Sequence, residues 1–242
     1  MKKLKLSMAL LLLWVSVSSC VFTEILPHQG SLNPKEEMYE VTDFDQVDLG
    51  SNFDALIIPS EKFKITANGV ERDINDLHVR VVNRTLKINY THGSWLGRIG
   101  RDRMHITIEM PTIRSIDISG ACKAKIEDFG KISKLEADLS GASDLRLDIK
   151  IEDLDTEISG ASNLTVNNLC DILRADVSGA SKIDAFDADA LEAALELSGA
   201  SKVNLSVSKK LLVEASGAST VYYRGEPTIK KELSGSSKVI KD

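Results

Sequence analysis

The four-residue phrase Ser-Gly-Ala-Ser constrains this chain more than any other feature. With small variations it starts at Ser119, Ser140, Ser159, Ser178, Ser198, Ser216 and Ser234, at intervals of 21, 19, 19, 20, 18 and 18 residues. A fixed period of this length marks a stacked-repeat architecture. One such unit is too short to bury its own apolar side chains, so it must stack on copies of itself. The residue two places before each phrase is acidic, giving Asp117, Asp138, Glu157, Asp176, Glu196, Glu214 and Glu232. Between acid and Ser sits an apolar residue: Ile118, Leu139, Ile158, Val177, Leu197, Ala215 or Leu233. Beyond the phrase, alternation resumes, as in Leu145 and Leu147, Leu164 and Val166, or Val203 and Leu205. Period-2 alternation on both sides of a Gly reads as strand, corner, strand.

If successive coils pair as parallel strands, equivalent residues stand ~4.8 Å apart and form columns. Gly120, Gly141, Gly160, Gly179, Gly199, Gly217 and Gly235 then form one structural seam of corners, where a Cβ would be penalised. The serine hydroxyls are placed to hydrogen-bond up and down the ladder. The expected organisation is an irregular β region over residues 39–115, continuous with a seven-repeat solenoid over residues 116–242. Within the first part, Val47 to Leu49, Ala55 to Ile58, Phe63 to Thr66, Leu77 to Val82, Leu86 to Tyr90 and His105 to Glu109 read as strands, with one turn around Glu71 to Asp76.

The N-terminus carries Lys2, Lys3 and Lys5, then an apolar stretch from Leu6 to Val15, then Val17-Ser18-Ser19-Cys20. This is the layout of a secretory signal, and its apolar centre is well short of the ~20 residues that span a bilayer. The last four residues resemble the lipobox of bacterial lipoproteins. That resemblance implies removal of residues 1–19, acylation of Cys20 and, with Val21 in place of Asp, outer-membrane residence; it leaves the periplasmic or surface-exposed side open. Residues 20–38, with Pro27, Gly30, Asn33 and Pro34, read as a flexible tether.

Acid-apolar-Ser-Gly-Ala-Ser near a 19-residue period, behind a lipobox and a region containing Phe63-Lys64-Ile65-Thr66 and Leu86-Lys87-Ile88, resembles the bacterial family called putative auto-transporter adhesin, head GIN domain. The resemblance runs from about Asp43 to the C-terminus. It implies an all-β, right-handed parallel β-helix with about 18–21 residues per coil and a cell-envelope location. It supplies no catalytic residues.

Several functions can be weighed from the residues themselves. A formal net charge of −6 argues against nucleic acid as a partner. The seven acids form the candidate ligand face, able to meet a cation or a basic peptide. Lys123, Lys182, Lys202 and Lys238, just after four of the phrases, are placed to offset them. A second candidate is the loop with Trp95, Arg98, Arg101 and Arg103. Catalysis finds little support. Aromatics are 5% of the chain, and His28, His78, His92 and His105 all precede the repeats. The reading is therefore a non-catalytic envelope module that presents a repeat face to a protein or glycan, with no metal and no cofactor. The alternatives are a β-helix enzyme acting on polysaccharide and a cation-binding structural repeat. Cys122 and Cys170 read as separate buried thiols. The open C-terminal end, near Lys238, Lys241 and Asp242, calls for charge protection or a homodimer through it.

Overall fold

The computed structural model describes residues 33–91 and 101–242. Its strands lie in two ladders that run along the stack and meet at the glycine corners. The first ladder holds β8 (Ser115–Gly120), β10 (Ile132–Leu139), β12 (Ile151–Ile158), β14 (Cys170–Val177), the C-terminal parts of β15 (Lys182–Leu197) and β16 (Lys202–Ala215), and β18 (Thr228–Leu233). The second holds β9 (Lys123–Glu127), β11 (Asp144–Asp148), β13 (Asn163–Val166), the opening parts of β15 and β16, β17 (Thr220–Arg224) and β19 (Lys238–Lys241). All of these pairings are parallel. Outside the register shifts between β15 and β16, inward positions face their counterparts one coil away, so Leu135, Leu154, Leu173 and Leu211 are buried in one column with Ala193. The fold is thus a parallel β-solenoid whose core is a set of apolar columns.

The corners explain the phrase. All seven of its glycines have positive φ, between 68° and 84°, where an L side chain is strained. Close approach adds a second requirement. The Gly141 carbonyl accepts the Ala161 N–H at 2.8 Å, and a Cβ on Gly160 would sit 2.4 Å from that same oxygen. The fourth position of the phrase turns inward, and Cys122, Ser143, Ser162, Ser181, Ser201 and Ser219 are all buried. Serine hydroxyls do bond from coil to coil, Ser201 to the Val177 carbonyl at 3.2 Å and Ser178 and Ser216 to the Ile158 and Leu197 carbonyls at 3.4 Å, but the shorter bonds are local. Ser143, Ser201 and Ser219 each donate within their own corner, to the carbonyl three residues earlier, at 2.7 to 2.9 Å. A hydroxyl in a tight turn reaches its own backbone more directly than the next coil. Between coils, the Ser162 Oγ accepts the Ser143 N–H at 3.3 Å.

The N-terminal end departs from a simple continuation of coils. It comprises β1 (Pro34–Tyr39), β2 (Gln46–Ser51), β3 (Phe53–Pro59), β4 (Lys64–Val70), α1 (Glu71–Asn75), β5 (Leu77–Val82), β6 (Thr85–Tyr90) and β7 (Met104–Met110). The β2–β3 coil lies between the β6–β7 coil and the β8–β9 coil, so the chain enters the second level before it builds the first. Beyond β6 and β7 the pairing turns antiparallel, with β5 on β6, β4 on β7 and β1 on β4. This antiparallel layer covers the end of the stack, and the aromatic pairs Phe44–Phe63 and Phe53–Tyr90 pack at that end.

All of strand β1 but Tyr39 falls inside the segment expected to be a tether. Pro34-Lys35-Glu36-Glu37-Met38-Tyr39 contains no fully buried residue, so its hydrophobic pattern carries no strand signal. Backbone pairing with β4 holds it, together with the Glu71 N–H donated to the Asn33 carbonyl at 2.9 Å. The signal segment, Cys20 and the tether through residue 32 lie outside the described residues.

Candidate ligand-binding face

The strand register brings all seven sequence-predicted acids into one column. Asp117 stands opposite Asp138, then Glu157, Asp176, Glu196, Glu214 and Glu232 follow coil by coil. The column has an eighth member, because Asp48 of β2 is the register partner of Asp117. Its sequence signal is a degenerate phrase. In Asp48-Leu49-Gly50-Ser51 the acid and apolar residue are kept, while Gly50 falls opposite Ser119 and Ser51 opposite Gly120. Lys87 of β6 caps the column, and its Nζ lies 2.6 Å from the Asp48 carboxylate.

Charge compensation along the column is confined to its ends. Lys87 pairs with Asp48, and Lys230 pairs with Glu232 at 3.2 Å. Asp117, Asp138, Glu157, Asp176, Glu196 and Glu214 make no ion pair among the described residues. The lysines expected to offset them sit beyond the corner, on the second ladder. There Lys182 pairs with Asp184 at 2.8 Å, and Lys202 lies 4.7 Å from the Tyr222 ring centre. The corner redirects the outward normal between the two ladders, so residues close in sequence face different directions.

Two members of the column show its electrostatic character. Partial burial raises the Asp117 carboxyl above its usual range, and the Asp48 charge adds to this while Lys87 opposes it. Asp138 is raised in the same way, by burial first and by the Asp117 charge second. At ~4.8 Å in water, neighbouring unit charges repel by only about 0.9 kcal/mol, so the fold tolerates the column.

Two residues beyond each acid the first serine of the phrase points to the same side of the strand. Acids and serines together line an open groove of about 650 Å³ that crosses five coils, from Glu157 and Ser159 to Glu232 and Ser234. Carboxylates accept from cationic N–H groups, and the hydroxyls both donate and accept. No three His, Cys, Asp or Glu side chains among the described residues converge on a metal geometry.

The loop candidate separates from this face. Trp95 and Arg98 lie outside the described residues. Arg101 and Arg103, expected as ligand contacts, are engaged within the fold. The Arg101 guanidinium stacks 3.9 Å from the Tyr90 ring centre and pairs with the buried Asp73 at 3.3 Å and with Asp76. Arg103 donates to the Ala121 carbonyl at 3.2 Å. Their role is to fasten β7 and α1 into the N-terminal end. Cys122 and Cys170 are free and buried, and burial raises both thiols, Cys170 to about 12.

Residues 43–227 match the family described as putative auto-transporter adhesin, head GIN domain. The chain belongs to this family. Its fold is shared by a putative adhesin from Bacteroides fragilis, with a TM-score of 0.79 at 20% identity over 87% of this chain and 97% of that one. A putative lipid binding protein from Parabacteroides distasonis is similar at a TM-score of 0.70 and 17% identity, over the same shares. A putative adhesin from the same organism gives 0.69 and 14%, again over 87% of this chain and 97% of that one. At these identities the likeness establishes the fold alone. No curated protein matches the chain in sequence.

Proposed function

We propose that this chain is a non-catalytic lipoprotein of the cell envelope, anchored in the outer membrane through Cys20, that presents its acid–serine groove to a basic protein surface. The observation that carries this reading is the register of the acids. Six consecutive carboxylates without an ion pair line up on one exposed face, and four of them run through a groove shared with serine hydroxyls. Such a face favours cationic partners through electrostatic complementarity. The adhesin-like family and the lipobox at Val17-Ser18-Ser19-Cys20 support an envelope setting.

The test compares the mature soluble chain with a variant carrying Glu157→Gln, Asp176→Asn, Glu196→Gln and Glu214→Gln. Both are assayed on isolated envelopes and on a glycan array. Salt-sensitive binding to an envelope protein, weakened at least roughly tenfold in the variant, supports the reading. Equal binding by both, or binding to glycans alone, contradicts it. Polysaccharide turnover abolished by the substitutions would make the protein an enzyme instead. Anchoring has its own test: metabolic labelling with palmitate should mark the wild type and miss Cys20→Ser.

A further inference from the structure

The C-terminal coil breaks a pattern that every other coil keeps. In the first ladder the inward column before the acid runs Val47, Ile116, Ala137, Thr156, Ala175, Leu195, Val213 and then Lys231. The preceding seven are buried, and Lys231 is exposed. In the second ladder a core-facing column ends in Leu205, Tyr223 and Lys241. Two of the apolar columns therefore finish in ammonium groups, on different ladders of the same coil. Lys241 is drawn outward to an ion pair with Glu226, whereas Lys231 makes no ion pair among the described residues.

Among the described residues this coil is also the last of the stack. Among the described residues, β18 pairs only with β16, and β19 only with β17, so each has one open edge. The neighbouring inward positions stay apolar, with Leu233 39% exposed and Ile229 and Val239 part-buried. An open strand edge beside apolar side chains is a template for association. An inward-pointing lysine is an effective defence, since any stacked coil would have to desolvate it without a partner charge. We infer that Lys231 and Lys241 block the C-terminal coil against end-to-end stacking with a second copy of the chain. A twofold contact would bring two copies of each ammonium group into one interface. The outward Lys230 and Lys238 carry the same charge but would remain in water.

Sedimentation velocity across a concentration series tests this on the mature soluble chain, with circular dichroism as a check on folding. The double variant Lys231→Val, Lys241→Val should associate at least roughly tenfold more tightly than the wild type. The matched variant Lys230→Val, Lys238→Val should behave like the wild type. The single variant Lys231→Val, which keeps the Lys241–Glu226 pair, carries the same test if the double variant misfolds. Unchanged association in the inward variants overturns the inference. So does equal association in the outward variant, because loss of charge alone would then be responsible. A wild-type dimer cross-linked between the two β18 strands would also overturn it.

Discussion

Replacing Gly160 with Ala probes the corner seam where its geometry is most regular. The residue has φ +77°, and the new Cβ would meet three atoms of Gly141, at 2.4 Å for the oxygen, 3.1 Å for the nitrogen and 3.2 Å for the carbonyl carbon. Left-handed backbone costs an L residue about 1–2 kcal/mol. Forcing an extra methyl into a packed site costs about 1–3 kcal/mol more. Relief is limited, because the obstructing oxygen also accepts the Ala161 N–H and belongs to the neighbouring coil. Gly160→Ala should therefore lose roughly 2–5 kcal/mol, seen as a fall in melting temperature of roughly 4–20 °C for a chain of this size. Gly130 provides the control. It lacks positive φ, and a Cβ there meets nothing within 4 Å, so Gly130→Ala should leave the melting temperature within about 2 °C of wild type. Thermal denaturation followed at a β-sheet wavelength reads both variants. A Gly160→Ala protein as stable as wild type, or an equal loss at Gly130, would refute the geometric account.

Three further outcomes follow from the electrostatics and burial. Asp117 and Asp138 have folded-state carboxyls raised above their unfolded values, so their ionisation disfavours the fold, and that penalty is relieved as pH falls through the raised range. Asp138→Asn should accordingly stabilise by under about 2 kcal/mol near pH 7 and lose this advantage near pH 3, measured by urea denaturation at both. Asp45 has the opposite sign: its hydrogen bond from Arg84, aided by the Arg114 charge, lowers the carboxyl against the effect of burial. Its stabilisation is present above the unfolded value and is lost as pH falls through the depressed one. Asp45→Asn should cost about 1–2 kcal/mol near pH 7, discounted for the exposure of Arg84, and little near pH 2. Cys122 and Cys170 should resist a thiol-specific reagent in the native protein and react fully in denaturant; rapid native labelling would show that the columns open.

The repeat region was legible because its signals are local and repeated. Each coil shows the acid, the inward apolar residue and the corner glycine in one short run, and parallel register then forces seven acids into a column without further information. Asp48 was hidden because its phrase is degenerate and because the β2–β3 coil is inserted between levels that the chain builds later. Strand β1 escaped for a related reason: its pairing is through the backbone, with no buried face to pattern the sequence. The misplaced expectation for Lys182 and Lys202 came from treating nearness in sequence as nearness in space across a corner that changes the face. Arg101 and Arg103 read as loop residues, yet their partners Asp73 and Ala121 are distant in sequence. The inward place of Lys231 has no signal in its own sequence neighbourhood and follows only from its register with Val213.

Ligand binding by the in-register carboxylates is the role proposed for this face. Its most direct measurement is a saturation isotherm of the labelled, mature soluble chain on isolated cell envelopes at low and physiological salt, with the four-acid groove variant beside it. Binding should be saturable and weaken with salt, and the variant should bind at least roughly tenfold more weakly with an unchanged melting temperature or a slightly higher one. Binding that is independent of salt and identical in the folded variant would contradict it.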